Sequence, residues 1–140
     1  MAASVIVTTK IDIAGIGDDI HISNEKTLAT VPVELKKGYT IMPSTFATVG
    51  IELLANVTDI PLAKVFGVYI KAEVGTIFIT VQQSGVDAAT YGTALTSDLK
   101  LLVGESVFIP YNGGRTAAAG ILVSGSATSD AFSYIILGSA

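Results

Sequence analysis

The sequence contains no cysteine, no tryptophan, one histidine and one arginine. Without cysteine there are no disulfides and no thiolate metal sites. With His21 as the only imidazole, a zinc site would need several carboxylates. One arginine, Arg115, and one adjacent basic pair, Lys36-Lys37, cannot form the clustered positive surface that nucleic acid requires. The formal net charge of −4 has the wrong sign for that role.

Charge of either sign is scarce. Asp, Glu, Lys and Arg make up 14% of the 140 residues, against about 25% in an average globular domain. Half of the residues are hydrophobic. Such a chain either enters a membrane or hides surface in an assembly. A spanning helix needs about 20 mostly apolar residues. The best apolar stretches, Leu62–Ile70 and Leu99–Ile109, are shorter, and the second contains Lys100, Gly104 and Glu105. Met1 to Lys10 lacks the basic segment and long apolar run of a signal peptide. The expectation is therefore assembly, with no membrane and no nucleic acid as partner.

What the sequence does contain is alternation. Ile11 and Ile13, then Ile20 and Ile22, alternate with Asp12 and His21. Val31, Val33 and Leu35 continue the pattern, as do Phe66, Val68 and Ile70, and Ile77, Ile79 and Val81. Leu99, Leu101 and Val103 follow, then Val107 and Ile109. A period of two with β-branched residues predicts strands that bury one face. Turn signals separate the runs: Gly15 to Asp19, Lys36-Lys37-Gly38, Asp59-Ile60-Pro61, Glu73-Val74-Gly75 and Asn112-Gly113-Gly114. Glu73-Val74-Gly75 is expected to close a short hairpin and Lys36-Lys37-Gly38 a tight connection. Ser84 to Asp98 reads as a long loop, and Ser44 to Val57 as strand rather than helix because of Thr45, Thr48, Val49, Gly50 and Ile51. The length suits one domain, 1–140. Eight or nine short strands at this spacing predict an all-β sandwich or barrel.

Motifs for catalysis are incomplete. Gly15-Ile16-Gly17 begins like a dinucleotide fingerprint, but the third glycine is missing. Gly104-Glu105-Ser106 begins like a nucleophile elbow, but Phe108 stands where the closing glycine belongs. His21, between Ile20 and Ile22, reads as an outward polar strand residue. Asp18 and Asp19, with Asp12 or Glu25, contain the oxygens of a calcium site, yet adjacent turn aspartates are ordinarily solvated. No enzyme, cofactor or metal is expected. Among the tyrosines, Tyr69 and Tyr134 fall within strands and read as packing, whereas Tyr91 and Tyr111 lie in or beside loops and are candidate ligand-contact aromatics. The N-terminal stretch holds Val5, Ile6, Val7, Ile11, Ile13 and Ile16 among few charges. It reads as a first core strand or as an extended arm over 1–16 that adds to a neighbour's sheet.

The C-terminal half has a characteristic order. Val68-Tyr69-Ile70-Lys71 leads to Ile77-Phe78-Ile79-Thr80-Val81 and a variable loop. Leu99-Lys100-Leu101-Leu102-Val103-Gly104-Glu105-Ser106-Val107-Phe108-Ile109-Pro110 comes next, and Gly120 to Ser124 and Phe132 to Leu137 close the chain. Over roughly Leu62 to Leu137 this resembles small virion structural proteins of tailed bacteriophages, especially head decoration proteins. The resemblance implies a single antiparallel β-sandwich, jelly-roll-like. It implies a capsid decoration or cement protein on the phage head, acting as a homo-oligomer, a trimer, against the major capsid protein or other virion proteins. The alternative is a tail-fibre or baseplate module that binds a receptor or glycan through Tyr91 and Tyr111.

Overall fold

The structure, a computed structural model, describes residues 5–14, 20–27, 34–42, 51–54, 60, 64–81, 97–111 and 120–138. The chain forms two compact units, 1–33 and 34–140.

The first unit contains β1 (Ile6–Ile13) and β2 (Ile20–Thr27), paired antiparallel over eight residues each. The alternation of Ile11 and Ile13 with Asp12, repeated by Ile20 and Ile22 around His21, sets the register. Ile11 stands opposite Ile22, Asp12 opposite His21, and Ile13 opposite Ile20. A one-residue slip would put isoleucine against the charged face, so the pattern specifies a single pairing.

The second unit is an antiparallel β-sandwich. Its strands are β3 (Glu34–Ile41), β4 (Ile51–Glu52), β5 (Val65–Val74), β6 (Ile77–Val81), β7 (Leu99–Leu101), β8 (Ser106–Pro110), β9 (Ile121–Gly125) and β10 (Ala131–Gly138). One sheet has the order β3-β10-β5-β8 and the other β4-β9-β6-β7. The pairs β3·β10, β4·β9, β5·β8 and β6·β7 nest inside one another, as though one long hairpin had been rolled up. The contacts β10·β5 and β9·β6 join the halves. This strand order is a jelly roll, so the fold is the all-β sandwich that the alternation and the resemblance imply.

The core lies between the inner faces. Val68, Ile70, Ala72, Phe132 and Ile136 come from one sheet, and Ile77, Ile79, Ile121 and Val123 from the other, all fully buried. Ile60 also joins this core. The alternating isoleucines and valines thus supply the inward rows that a sandwich requires.

Two turn expectations are corrected. Glu73-Val74-Gly75 does not close a hairpin. β5 and β6 belong to different sheets, and the segment is a corner where the chain crosses between them. Gly75 has φ +69, a left-handed conformation that glycine adopts without steric cost. Lys36-Lys37-Gly38 is not a connection but the middle of β3. Gly38 stands opposite Tyr134, whose ring occupies the space a side chain at 38 would fill. A cross-strand aromatic thereby keeps a glycine inside a strand. The stretches 82–96 and 43–50, with most of the predicted long loop and of the helix-or-strand segment, lie outside the described residues. So do the predicted turns at 15–19 and 112–114.

Candidate interaction surfaces

The N-terminal ribbon has two unlike faces. Strand alternation puts Ile6, Lys10, Asp12, His21, Ser23 and Glu25 on one and Val7, Thr9, Ile11, Ile22, Asn24 and Lys26 on the other. On the polar face Lys10 Nζ lies 2.8 Å from Asp12 Oδ2, and His21 Nδ1 lies 2.9 Å from Asp12 Oδ1. The hydrogen bond from Lys10, then that from His21, holds the Asp12 carboxyl below the usual carboxylate range. On the other face Ile11 and Ile22 stand directly opposite each other, 45% and 50% exposed. An isolated two-stranded ribbon is marginally stable in water, so an isoleucine pair left open on it calls for a cover.

The candidate arm residues occupy this ribbon unevenly. Val5 and Val7 are half-buried, and Ile11 is on the apolar face. Ile13 is placed at the end of β1 opposite Ile20. Ile6, 54% exposed, falls on the opposite face by strand parity, and Ile16 lies outside the described residues. Ile22 belongs with the apolar group although the sequence reading of the arm stops at 16. The signal was the repeated Ile-x-Ile on either side of Gly15 to Asp19.

The sandwich has one covered and one open outer face. On β6 and β9, Thr80, Leu122 and Ser124 are buried although they point away from the core, and every residue of β9 is buried. The outer face of β3-β10-β5-β8 is open at its β3 rim and half-buried further in, with Leu137 on it buried. Register aligns Lys37, Ile135, Tyr69 and Phe108 in one row across it, and Tyr39, Ser133, Lys71 and Ser106 in the next. Tyr69, Phe108 and Ile135 are half-buried, and Phe108 lies over Gly67, where a side chain would collide with its ring. Beside them Glu73 accepts hydrogen bonds from Ser133 Oγ at 2.6 Å and from Lys71 Nζ at 3.0 Å. These bonds, Ser133's first, lower the Glu73 pKa, and the bond to Glu73 raises that of Lys71. At the rim of this face Leu35, Tyr39 and Ile41 are more than half exposed.

Of the two candidate ligand-contact tyrosines only Tyr111 is described, and it is not exposed. Tyr111 is buried at 7% and packs in the core, and its amide donates to the carbonyl of Phe66. Apolar packing claims its ring although the sequence sets a turn signal beside it. Tyr91 lies outside the described residues. The exposed tyrosine of the described sandwich is Tyr39, which the sequence reading left aside because nothing in it distinguishes an outward strand tyrosine from a packed one.

Among the described residues no group of three or more His, Asp or Glu converges on a common point. Asp18 and Asp19 lie outside them. Among the same residues no helix is long and apolar enough to cross a membrane. Comparison of the chain with protein-family models, with curated proteins and with solved structures finds no match.

Proposed function

We propose that this chain is a virion structural protein of a tailed phage, a decoration or cement component of the head that works by oligomerising and binding the capsid. The observation that carries the reading is the pairing of a jelly roll with apolar surface left open on a sheet rim and on an N-terminal ribbon. Jelly rolls build viral capsid domains, and open apolar patches mark surfaces that another protein covers. Such a part is repeated in many copies, and its chemistry is contact rather than turnover. The sequence resemblance over Leu62 to Leu137 points to the same setting.

Quantitative proteomics of purified particles tests it. The reading predicts a copy number comparable with that of the major capsid protein. Absence from particles would contradict it.

A receptor- or glycan-binding module is the second reading, because jelly rolls also form lectin domains. Its support moves from the predicted tyrosines to Tyr39 and the neighbouring Lys71, Glu73 and Ser133, which set hydrogen-bonding groups beside an exposed ring. A glycan array on which Tyr39→Ala abolishes a wild-type signal would favour it over the capsid role.

A further inference from the structure

Among the described residues four strands border the two sheets: β3 and β8 one, β4 and β7 the other. An edge strand offers a row of backbone donors and acceptors to any strand that approaches, and proteins blunt this with short strands, charged side chains (lysine above all), proline or bulges. As described, β4 has two residues and β7 three, and β8 has five and ends on Pro110. β3 is different. It runs for eight residues without proline, and its pairing with β10 has no register shift. Three of its four outward side chains are apolar or aromatic, with Leu35 51%, Tyr39 58% and Ile41 60% exposed, and Lys37 stands between Leu35 and Tyr39.

We propose that β3 pairs with β3 of a second copy about a two-fold axis, joining two four-stranded sheets into one of eight strands. A two-fold axis perpendicular to the sheet keeps outer face beside outer face. Residues that stand opposite each other must therefore share a face. Two central registers meet this condition. The first puts Gly38 on the axis. Leu35 then meets Ile41 of the second copy, Lys37 meets Tyr39, and Lys36 meets Thr40. The second puts Lys37 on the axis, against Lys37 of the second copy. Like charges directly opposite destabilise a sheet. The first register removes that repulsion, pairs apolar with apolar, and lays each Lys37 ammonium against a tyrosine ring that attracts cations. Charge and shape both select Gly38 as the centre.

The absence of cysteine from the native chain makes the register directly readable. In the Gly38 register the full-length double variant Leu35→Cys/Ile41→Cys brings each cysteine opposite its partner at about 5 Å between Cα atoms, within disulfide reach. On mild oxidation it runs as a covalent dimer on a non-reducing denaturing gel. Lys37→Cys alone stays monomeric there, because its two copies sit on a diagonal of roughly 7–8 Å. Wild-type protein shows a dimer mass by light scattering. Tyr39→Lys sets lysines opposite each other twice and weakens the dimer at least about tenfold, with an unchanged far-ultraviolet circular dichroism spectrum. A monomer or trimer mass for the wild type overturns the proposal. So does cross-linking of Lys37→Cys in preference to the double variant, or an unchanged dimer in Tyr39→Lys. The pairing does not rest on the virion reading: absence from particles would remove that reading and leave the dimer mass as it is.

Discussion

Single residues hold the corners of the roll. Asp130 is buried at 4% and accepts hydrogen bonds from Ser126 N and Oγ, both at 2.7 Å, and from Ala127 N at 2.9 Å. Burial pushes its carboxyl up, but the bonds from Ser126 and Ala127 outweigh that and hold it below the usual range. Its carboxylate also lies against Gly75 at the β5–β6 corner, so one side chain ties that corner to the turn before β10. Asp130→Ala should cost about 1–3 kcal/mol in urea unfolding, the lower part of the range if water reaches the exposed Ser126 and Ala127. Because the folded pKa is depressed, this contribution is complete above the unfolded value near 4 and is lost as pH falls through the folded one. Thermal midpoints measured from pH 7 down to pH 2 should therefore converge for wild type and Asp130→Asn at the acid end. The two left-handed glycines among the described residues supply a second comparison. Gly104 has φ +85 with nothing near a Cβ, whereas Gly75 has φ +69 and Asp130 in the way. Gly104→Ala should cost about 1–2 kcal/mol from backbone strain alone. Gly75→Ala should cost measurably more in the same denaturation experiment. None of this was legible in the sequence: Gly75 and Gly104 announce turns, but the partner Asp130 is fixed only by the crossing of the chain between sheets.

At the scale of elements, the alternation carried far. Val68 and Ile70, Ile77 and Ile79, and Leu101 and Ile109 are buried as the period of two requires. The paired Ile-x-Ile segments around Gly15 to Asp19 became the ribbon β1–β2. Connections were read less well, for a physical reason. A short segment with glycine looks the same whether it closes a hairpin or crosses between sheets, and in a jelly roll most connections cross. Gly38 misled in another way, since its covering partner Tyr134 is far along the chain. That contact is testable. Gly38→Ala should destabilise the sandwich by about 1–3 kcal/mol through overpacking, and Tyr134→Val should relieve most of that cost in a double-mutant cycle. The described core residues all lie between Met42 and Ile136, within the second unit. A fragment of residues 34–140 should accordingly unfold in one cooperative transition by calorimetry.

For the whole molecule, the scarcity of charge and the excess of apolar residues find a structural counterpart. The surplus is not confined to the core. It also lies on Ile11 and Ile22 of the ribbon and on Leu35, Tyr39 and Ile41 of β3. The sequence showed the surplus but not its location, because outward and inward strand positions differ only in which face the fold turns to the core. Tyr111 and Tyr39 illustrate this: the tyrosine beside a sequence turn signal is buried, and the one within a strand is open. The functional account rests on that open surface being covered by copies of the chain and by a capsid. The most direct measurement is cryo-electron microscopy of particles that carry the chain, with its position marked by immunogold labelling. The account predicts jelly-roll density repeated at regular points over the head surface. Label confined to the tail tip, or absent from the particle, would contradict it.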